Sequence, residues 1–427
     1  MLSPSDHRAA LWYATAPPAP LTVPLAGSKH TEVLVVGAGI TGIAAALELS
    51  KQGVSCTVLE AGAIGGGAIG RSSGFVNAGM WIPPDKIRTI LGAERGNHLL
   101  KVLGEAPCQV FSTISEHQIT CETVRKGTLQ AAVGLKGLKE VERRAKAWLS
   151  TGADVALLDA RETADRTGTS HFAGALLDNR TGTIQPLAYV LGLAAAAIRA
   201  GAVIHTSSPV LSYRSFANGW TAMTQHGEVS AKYVLLTTDA YAQHDNHSAA
   251  SEFVNLPYFN VATEPLTSAE LEIVLASKQG VTDTNRVPGS YRLDANGRLI
   301  IGSVGGLDGL GGNLHVAWAR RTIRSLFPTL QPKKIQYQWF GKIGLTNGHI
   351  PAIHRPAHTF LMVGGYNGRG IAAGTVFGFS IAKFISGACD ETSLPVPLTP
   401  IDKASFARLR ELGFEWSARA YHLMAAR

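Results

Sequence analysis

At 427 residues the chain is long enough for two or three domain-sized units, and 45% apolar against 16% charged residues excludes a mainly disordered polymer. Its 46 glycines follow no three-residue period, which excludes collagen. The net charge of +8 is scattered in runs no longer than pairs such as Lys333-Lys334 and Arg320-Arg321, the pattern of an ordinary soluble surface, so no nucleic-acid partner is expected.

Cysteines stand at 56, 108, 121 and 389 without a C-x-x-C pair, so neither a disulfide scaffold nor a metal site is expected. The first residues lack a basic stretch followed by an apolar one. No run approaches the roughly 20 apolar residues of a membrane span. A reduced, cytoplasmic protein without a secretory signal is the expectation.

Residues 1–30 carry Pro4, Pro17, Pro18, Pro20 and Pro24 and read as an extended arm, anchored by Trp12 and Tyr13. Regular structure starts with the apolar strand at 32–36. A helix over 43–52 follows, closed by Gly53, and then a strand over 54–59 that ends at Glu60. Seven glycines crowd between Ala61 and Gly79. Phe75, Val76, Met80 and Trp81 accompany them, and such side chains mark an ordered, buried segment. Residues 92–181 read as mixed helix and short strands, with 136–146 helical. A second strong helix covers 188–200, with strands at 203–205 and 233–238 behind it. Residues 250–345 are rich in strands and turns. Asn296-Gly297 is a hairpin signal, and the flanking Arg292 and Arg298 read as sheet-surface residues. The last unit is a strand over 359–363, a glycine turn, and a helix over 371–385. No internal repeat is present.

Gly37-Ala-Gly39-Ile40-Thr41-Gly42 sits between a strand and a helix, the context that a dinucleotide fingerprint requires. The first glycine permits the tight turn, the second lets backbone approach a pyrophosphate, and the third lets helix and strand pack closely. The helix N-terminus offers free N–H groups to phosphate. Glu60, with Ala61 behind it, ends the second strand, where a carboxylate binds both ribose hydroxyls. The glycine segment that follows carries Arg71, Ser72, Ser73 and Gly74 and offers N–H donors to a second cofactor surface; Arg71 is placed near pyrophosphate or flavin. The turn Gly365-Tyr366-Asn367-Gly368-Arg369-Gly370-Ile371 opens another helix. Its small residues Ala372, Ala373, Gly374 and Gly378 suit close approach to a flat ring, and its N-terminus suits the edge of a flavin that gains negative charge on reduction. Two such helices far apart in sequence imply an extended ligand gripped from two ends, which FAD fits better than NAD.

These motifs, together with 12–18 (Trp-Tyr-Ala-Thr-Ala-Pro-Pro), 58–62 (Val-Leu-Glu-Ala-Gly), 70–74 (Gly-Arg-Ser-Ser-Gly) and 262–266 (Ala-Thr-Glu-Pro-Leu), resemble the D-amino-acid-oxidase-like FAD superfamily. The branch they are similar to includes gamma-glutamylputrescine oxidase. The resemblance runs over roughly residues 10–385. It implies an α/β fold: a doubly wound FAD domain (31–92, 182–249 and 338–390) and an inserted α+β substrate domain on a mostly antiparallel sheet (93–181 and 250–337). Residues 391–427 form a helical tail. Val210 and Thr238 are further expected cofactor contacts. The covalently linked relatives place a Cys or His where this chain has none, so non-covalent FAD is implied. Many relatives have His where this chain has Arg369.

The implied activity is oxidation of a C–N bond in an amine or amino acid. A hydride passes to flavin N5 and the resulting imine hydrolyses, with O2 or an electron-transfer partner as the final acceptor. Tyr366 and Arg369 are the catalytic candidates. Trp81, Glu264, His354 and Arg355 are the candidates for substrate binding. The alternatives are a flavin-binding subunit or sensor without amine turnover, and an FAD enzyme that modifies an RNA base.

Overall fold

The computed structural model of the chain describes residues 6–242, 253–309, 311–401 and 404–425. Two large sheets organise it. The first is built on five parallel strands in the order Phe360–Gly364, Gly227–Leu236, Gly27–Val36, Cys56–Leu59 and Val203–His205. Gly27–Val36 lies centrally, so Val33 to Val36 are buried on both faces, which is why the segment reads as a continuous apolar run. Ala352–Ala357 adds an antiparallel strand with the short Leu398–Thr399 at its outer edge, and the hairpin of Ser212–Phe216 and Gly219–Met223 extends beside Gly227–Leu236.

The helices Ile40–Lys51 and Gly370–Ser386 pack against each other. A Cβ on Gly378 would lie 2.5 Å from the Thr41 carbonyl oxygen, and one on Gly374 would lie 2.7 Å from Ile40 Cγ2. Gly374 and Gly378 of helix Gly370–Ser386 therefore serve helix–helix approach, where the sequence suggests a bed for a flat ring.

The second sheet has eight strands in the order Ile335–Leu345, Val254–Pro265, Arg298–Val304, Gly289–Leu293, Gly280–Asp283, Thr128–Ala131, Ala175–Asp178 and Val155–Leu158. All neighbours are antiparallel except Gly280–Asp283 with Thr128–Ala131. Strand Ile335–Leu345 belongs to it along its whole length, from Leu345 opposite Val254 to Ile335 opposite Thr263. A boundary at residue 338 would cut this ladder, so the first sheet's share of the chain resumes after Leu345. The expected boundary at 249/250 lies outside the described residues.

The N-terminal arm is extended only in part. Leu11–Thr15 is a helical turn whose Leu11 and Trp12 are fully buried, and the prolines hold the chain extended only beyond Ala16. At the other end, helix Ala407–Met424 packs on Val254–Pro265 and on helix Gly311–Leu326. Its His422 is buried under the second sheet. There Nδ1 lies 2.7 Å from His315 Nδ1, Nε2 lies 3.2 Å from Ser303 Oγ, and Trp318 stacks on the ring at 4.3 Å.

Candidate active site

A cleft of about 310 Å³ is lined by residues of both sheets. One end is the first glycine turn. Gly37 has φ of 106°, a conformation that favours glycine. Thr237 Oγ1 donates to the carbonyl oxygens of Val36 and Gly37 and fixes the turn from behind. A Cβ on Gly42 would lie 2.1 Å from the Gly37 carbonyl oxygen, whereas one on Gly39 would meet nothing within 4 Å. The first of these glycines is therefore needed by the packing and the second faces open cleft.

Glu60 ends strand Cys56–Leu59. Its carboxylate accepts the N–H groups of Ala38 and Gly62, each at 2.8 Å. Burial raises its pKa, and these backbone bonds oppose the rise. The oxygens are thus fixed at the strand end with lone pairs to spare for ribose hydroxyls. Glu60→Ala is expected to weaken FAD binding about ten-fold or more, since a hydrogen bond to a charged group contributes roughly 1.5–3 kcal/mol. Titration of the apoprotein with FAD measures this, and an unchanged Kd would show that the carboxylate makes no such contact.

The cleft's polar lining fits a dinucleotide. Ser72 Oγ and Thr238 Oγ1 are buried on its wall without a hydrogen-bond partner among the described residues. Buried hydroxyls are ordinarily paired, so these two are suited to a polar ligand. Of the residues expected to hold cofactor, Gly37, Gly39, Ile40, Thr41, Glu60, Ala61, Arg71 to Gly74, Val210, Thr238, Asn367, Gly368, Gly370 and Ile371 line the cleft; Gly42, Gly365 and Arg369 do not.

The second glycine turn forms the far wall. Asn367 is left-handed, with φ of 52°, and its Oδ1 accepts the Thr346 N–H at 3.0 Å. The Gly365 N–H donates to Asp239 Oδ1 at 2.9 Å. Tyr366 and Thr41 share a hydrogen bond of 2.9 Å between their hydroxyls, which clasps the two glycine-turn helices together. Burial drives the Tyr366 phenol far above its ordinary pKa. It is a clasp, and as a proton acceptor it is unsuited.

Four expected site residues are placed elsewhere. Arg369 turns away from the cleft: Nη1 donates to the Ala78 carbonyl at 2.6 Å and the guanidinium stacks 4.6 Å over Trp81. Burial, and then the nearby Arg144, lower its pKa. Its reach to flavin or substrate is replaced by support of Trp81, which does line the cleft. Glu264 accepts the Lys334 N–H at the far end of its strand. His354 is buried against Thr399 and Arg355 pairs with Glu391 at 3.5 Å, both on strand Ala352–Ala357. None of these three lines the cleft, because the strands carrying them end away from it.

The sequence reading missed the wall supplied by the second sheet. Tyr258, Thr282 and Ser290 line the cleft there, with the Tyr258 hydroxyl donating to Ser290 Oγ at 2.9 Å. Tyr241 adds a ring beneath Arg71 at 5.2 Å, and its hydroxyl accepts the Lys342 N–H. Arg292 is 2% exposed and so not a surface residue. It lies behind the glycine loop and donates to the carbonyls of Ser73, Gly74 and Ile184. The alternation of polar and apolar residues in strand Gly289–Leu293 gives no warning, since all five residues are buried.

Comparison with known proteins agrees with this geometry. The family model described as FAD dependent oxidoreductase matches residues 32–383. The probable oxidoreductase OrdL of Haemophilus influenzae is 29% identical over 377 residues, covering 87% of this chain and 86% of that protein. The gamma-glutamylputrescine oxidoreductase of Escherichia coli is 29% identical over 366 residues, 83% of this chain and 84% of that one. Among solved structures, the glycine oxidase of Geobacillus kaustophilus superposes with a TM-score of 0.72 at 20% identity, over 87% of this chain and 99% of the other. The L-proline dehydrogenase of P. horikoshii gives 0.69 at 19% identity, over 86% and 97%. No helix among the described residues is long and apolar enough to cross a membrane. With the family model matching from the first glycine turn to the helix after the second, the chain belongs to the FAD-dependent oxidoreductases of this family.

Proposed function

We propose that this protein oxidises the C–N bond of a small amine or amino acid. The chemistry of the cleft's walls carries the reading. Among the described lining residues there is no histidine, and the two carboxylates, Glu60 and Asp239, both accept backbone N–H groups. Tyr258 donates to Ser290, and burial raises its phenol well above the ordinary value. Such a site orients a substrate, and with Glu60 and Asp239 held by backbone N–H groups and Lys342 exposed, it offers no buried side chain placed to take a proton from it. Oxidation of an alcohol calls for removal of a hydroxyl proton. A neutral amine needs no such base, because its nitrogen lone pair assists loss of hydride from the adjacent carbon.

FAD, when bound, supplies the two-electron acceptor. The chain's part is binding and orientation. Phe75, Trp81 and Ile343 give an apolar wall that favours the uncharged amine, and Tyr258, Thr282 and Ser290 give hydroxyls on the facing sheet. The imine product hydrolyses to a carbonyl compound and a released amine or ammonia. Relatives named for gamma-glutamylputrescine, glycine and L-proline support the same bond class.

Anaerobic mixing with polyamines, N-methyl amino acids, cyclic imino acids and both amino-acid enantiomers tests the proposal. At least one class is expected to bleach the flavin absorbance. Failure of every amine would turn the reading toward a flavin-binding subunit or sensor. Hydrogen peroxide formed under air would identify O2 as the acceptor, in place of an electron-transfer partner.

No cysteine or histidine lines the cleft among the described residues. Acid precipitation is therefore expected to release FAD into the supernatant. Flavin that stayed with the pellet would contradict non-covalent binding.

A further inference from the structure

Four successive peptide carbonyls of the glycine loop are tied back by side chains remote in sequence. The Arg71 carbonyl accepts Trp339 Nε1 at 3.1 Å and Asn260 Nδ2 at 3.3 Å. The Ser72 carbonyl accepts Trp12 Nε1 at 2.8 Å. The Ser73 and Gly74 carbonyls share Arg292 Nη1, at 3.3 and 3.2 Å. These anchors form one column: the Arg292 guanidinium lies 5.4 Å over the Trp12 ring, and Trp12 meets Trp339 edge-to-face at 5.8 Å. None of them lines the cleft, whereas Arg71 to Gly74 all do.

The described peptides are all trans, so each N–H points opposite its carbonyl. Turning the Ser72 and Ser73 carbonyls onto the column aims the N–H groups of Ser73 and Gly74 the other way, toward the cleft. Gly74 is required for the interlock. Its φ is 80°, and a Cβ there would lie 2.2 Å from Arg292 Nη1 and 2.4 Å from the Ile184 carbonyl oxygen.

We infer that Arg292 is a positioning residue for the cofactor. Buried in the second sheet, it pins the Arg71–Gly74 loop so that the loop presents N–H donors, and the field of a permanent cation, to the flavin. The inference rests on the FAD reading of the cleft. It gives a role to a buried arginine whose Nη1 and Nε donate to backbone carbonyls: Ser73, Gly74 and Ile184 for Nη1, and Leu293 for Nε. A guanidinium serves several carbonyls at once, which a lysine ammonium does with fewer fixed directions.

The test uses full-length apoprotein titrated with FAD, for wild type, Arg292→Lys, Arg292→Met and Trp12→Phe, with the midpoint potential of the bound flavin measured in each. Arg292→Met is expected to weaken FAD binding ten-fold or more and to make the potential more negative, since donors and positive charge favour the electron-rich reduced ring. Arg292→Lys should recover part of both. Trp12→Phe, which removes one donor and keeps most of the ring, should weaken binding about three-fold, and it decides the matter if Arg292→Met does not fold. Wild-type affinity and potential in Arg292→Met, or in Trp12→Phe where the first is unfolded, would overturn the inference. A wild-type chain that takes up no FAD would instead overturn the reading on which it rests.

Discussion

Gly39→Val is expected to give a folded protein that does not retain FAD, whereas Gly42→Val is expected not to fold. The two positions lie three residues apart in one motif, and the sequence assigns the first to the pyrophosphate and the second to helix–strand packing. The structure separates them. Gly39 has extended backbone, with φ of −81° and ψ of −175°, and a Cβ there meets nothing within 4 Å. A valine fits the fold, and its methyl groups project into the space for the pyrophosphate. The loss should be about ten- to a hundred-fold in Kd, equivalent to roughly 1–3 kcal/mol of overpacking. At Gly42 the added Cβ would lie 2.1 Å from the Gly37 carbonyl oxygen, 2.7 Å from Thr237 Oγ1 and 3.1 Å from Val35 Cγ1. Two of these belong to the central strand and its turn, which have no room to retreat. Loss of about 3 kcal/mol or more is expected even without cofactor. Thermal unfolding of both apoproteins and FAD titration of whichever folds would check this. A stable Gly42→Val, or a Gly39→Val that binds FAD normally, would refute the assigned roles.

Acid is expected to destabilise the protein through His422. Burial chiefly, and then the neighbouring His315, pull its pKa down to about 3, Glu415 opposing them and Arg321 adding the least. In the unfolded chain the value is about 6.5. Between these limits the unfolded state binds a proton that the folded state does not. Stability is therefore complete above about pH 6.5 and is lost as the pH falls toward 3, at up to about 1.4 kcal/mol per pH unit. The geometry gives the cause. His422 Nδ1 and His315 Nδ1 are 2.7 Å apart, so one must accept from the other, and burial against the Trp318 ring leaves a positive charge on this pair poorly solvated. A drop of about 2–3 kcal/mol between pH 6.5 and 4.5 should appear in urea unfolding. His422→Gln should flatten that part of the profile whatever its baseline stability. An unaltered pH dependence in His422→Gln would place the acid sensitivity elsewhere.

The parts of the site that are local in the chain are legible in its residues alone. Strand, glycine turn, helix and terminal acid over 33–60 form one continuous unit, and the φ of Gly37, the close packing at Gly42 and the fixed carboxylate of Glu60 all lie within it. The turn at 365–371 is legible for the same reason, since Gly365, Asn367 and Gly368 carry positive φ within a few residues. Tertiary structure decided whatever depends on which strands become neighbours. Register across the second sheet sets Tyr258, Thr282 and Ser290 on the cleft, and Arg292 beneath the Ser73 and Gly74 carbonyls more than 200 positions away in sequence. A buried arginine satisfied by carbonyls leaves no pattern along the chain, because backbone oxygens are the same at every residue. Glu264, His354 and Arg355 read plausibly at strand ends, but position along a strand does not tell which end of the sheet faces the ligand. Strand order and direction tell that, and they are fixed only when the two sheets are complete.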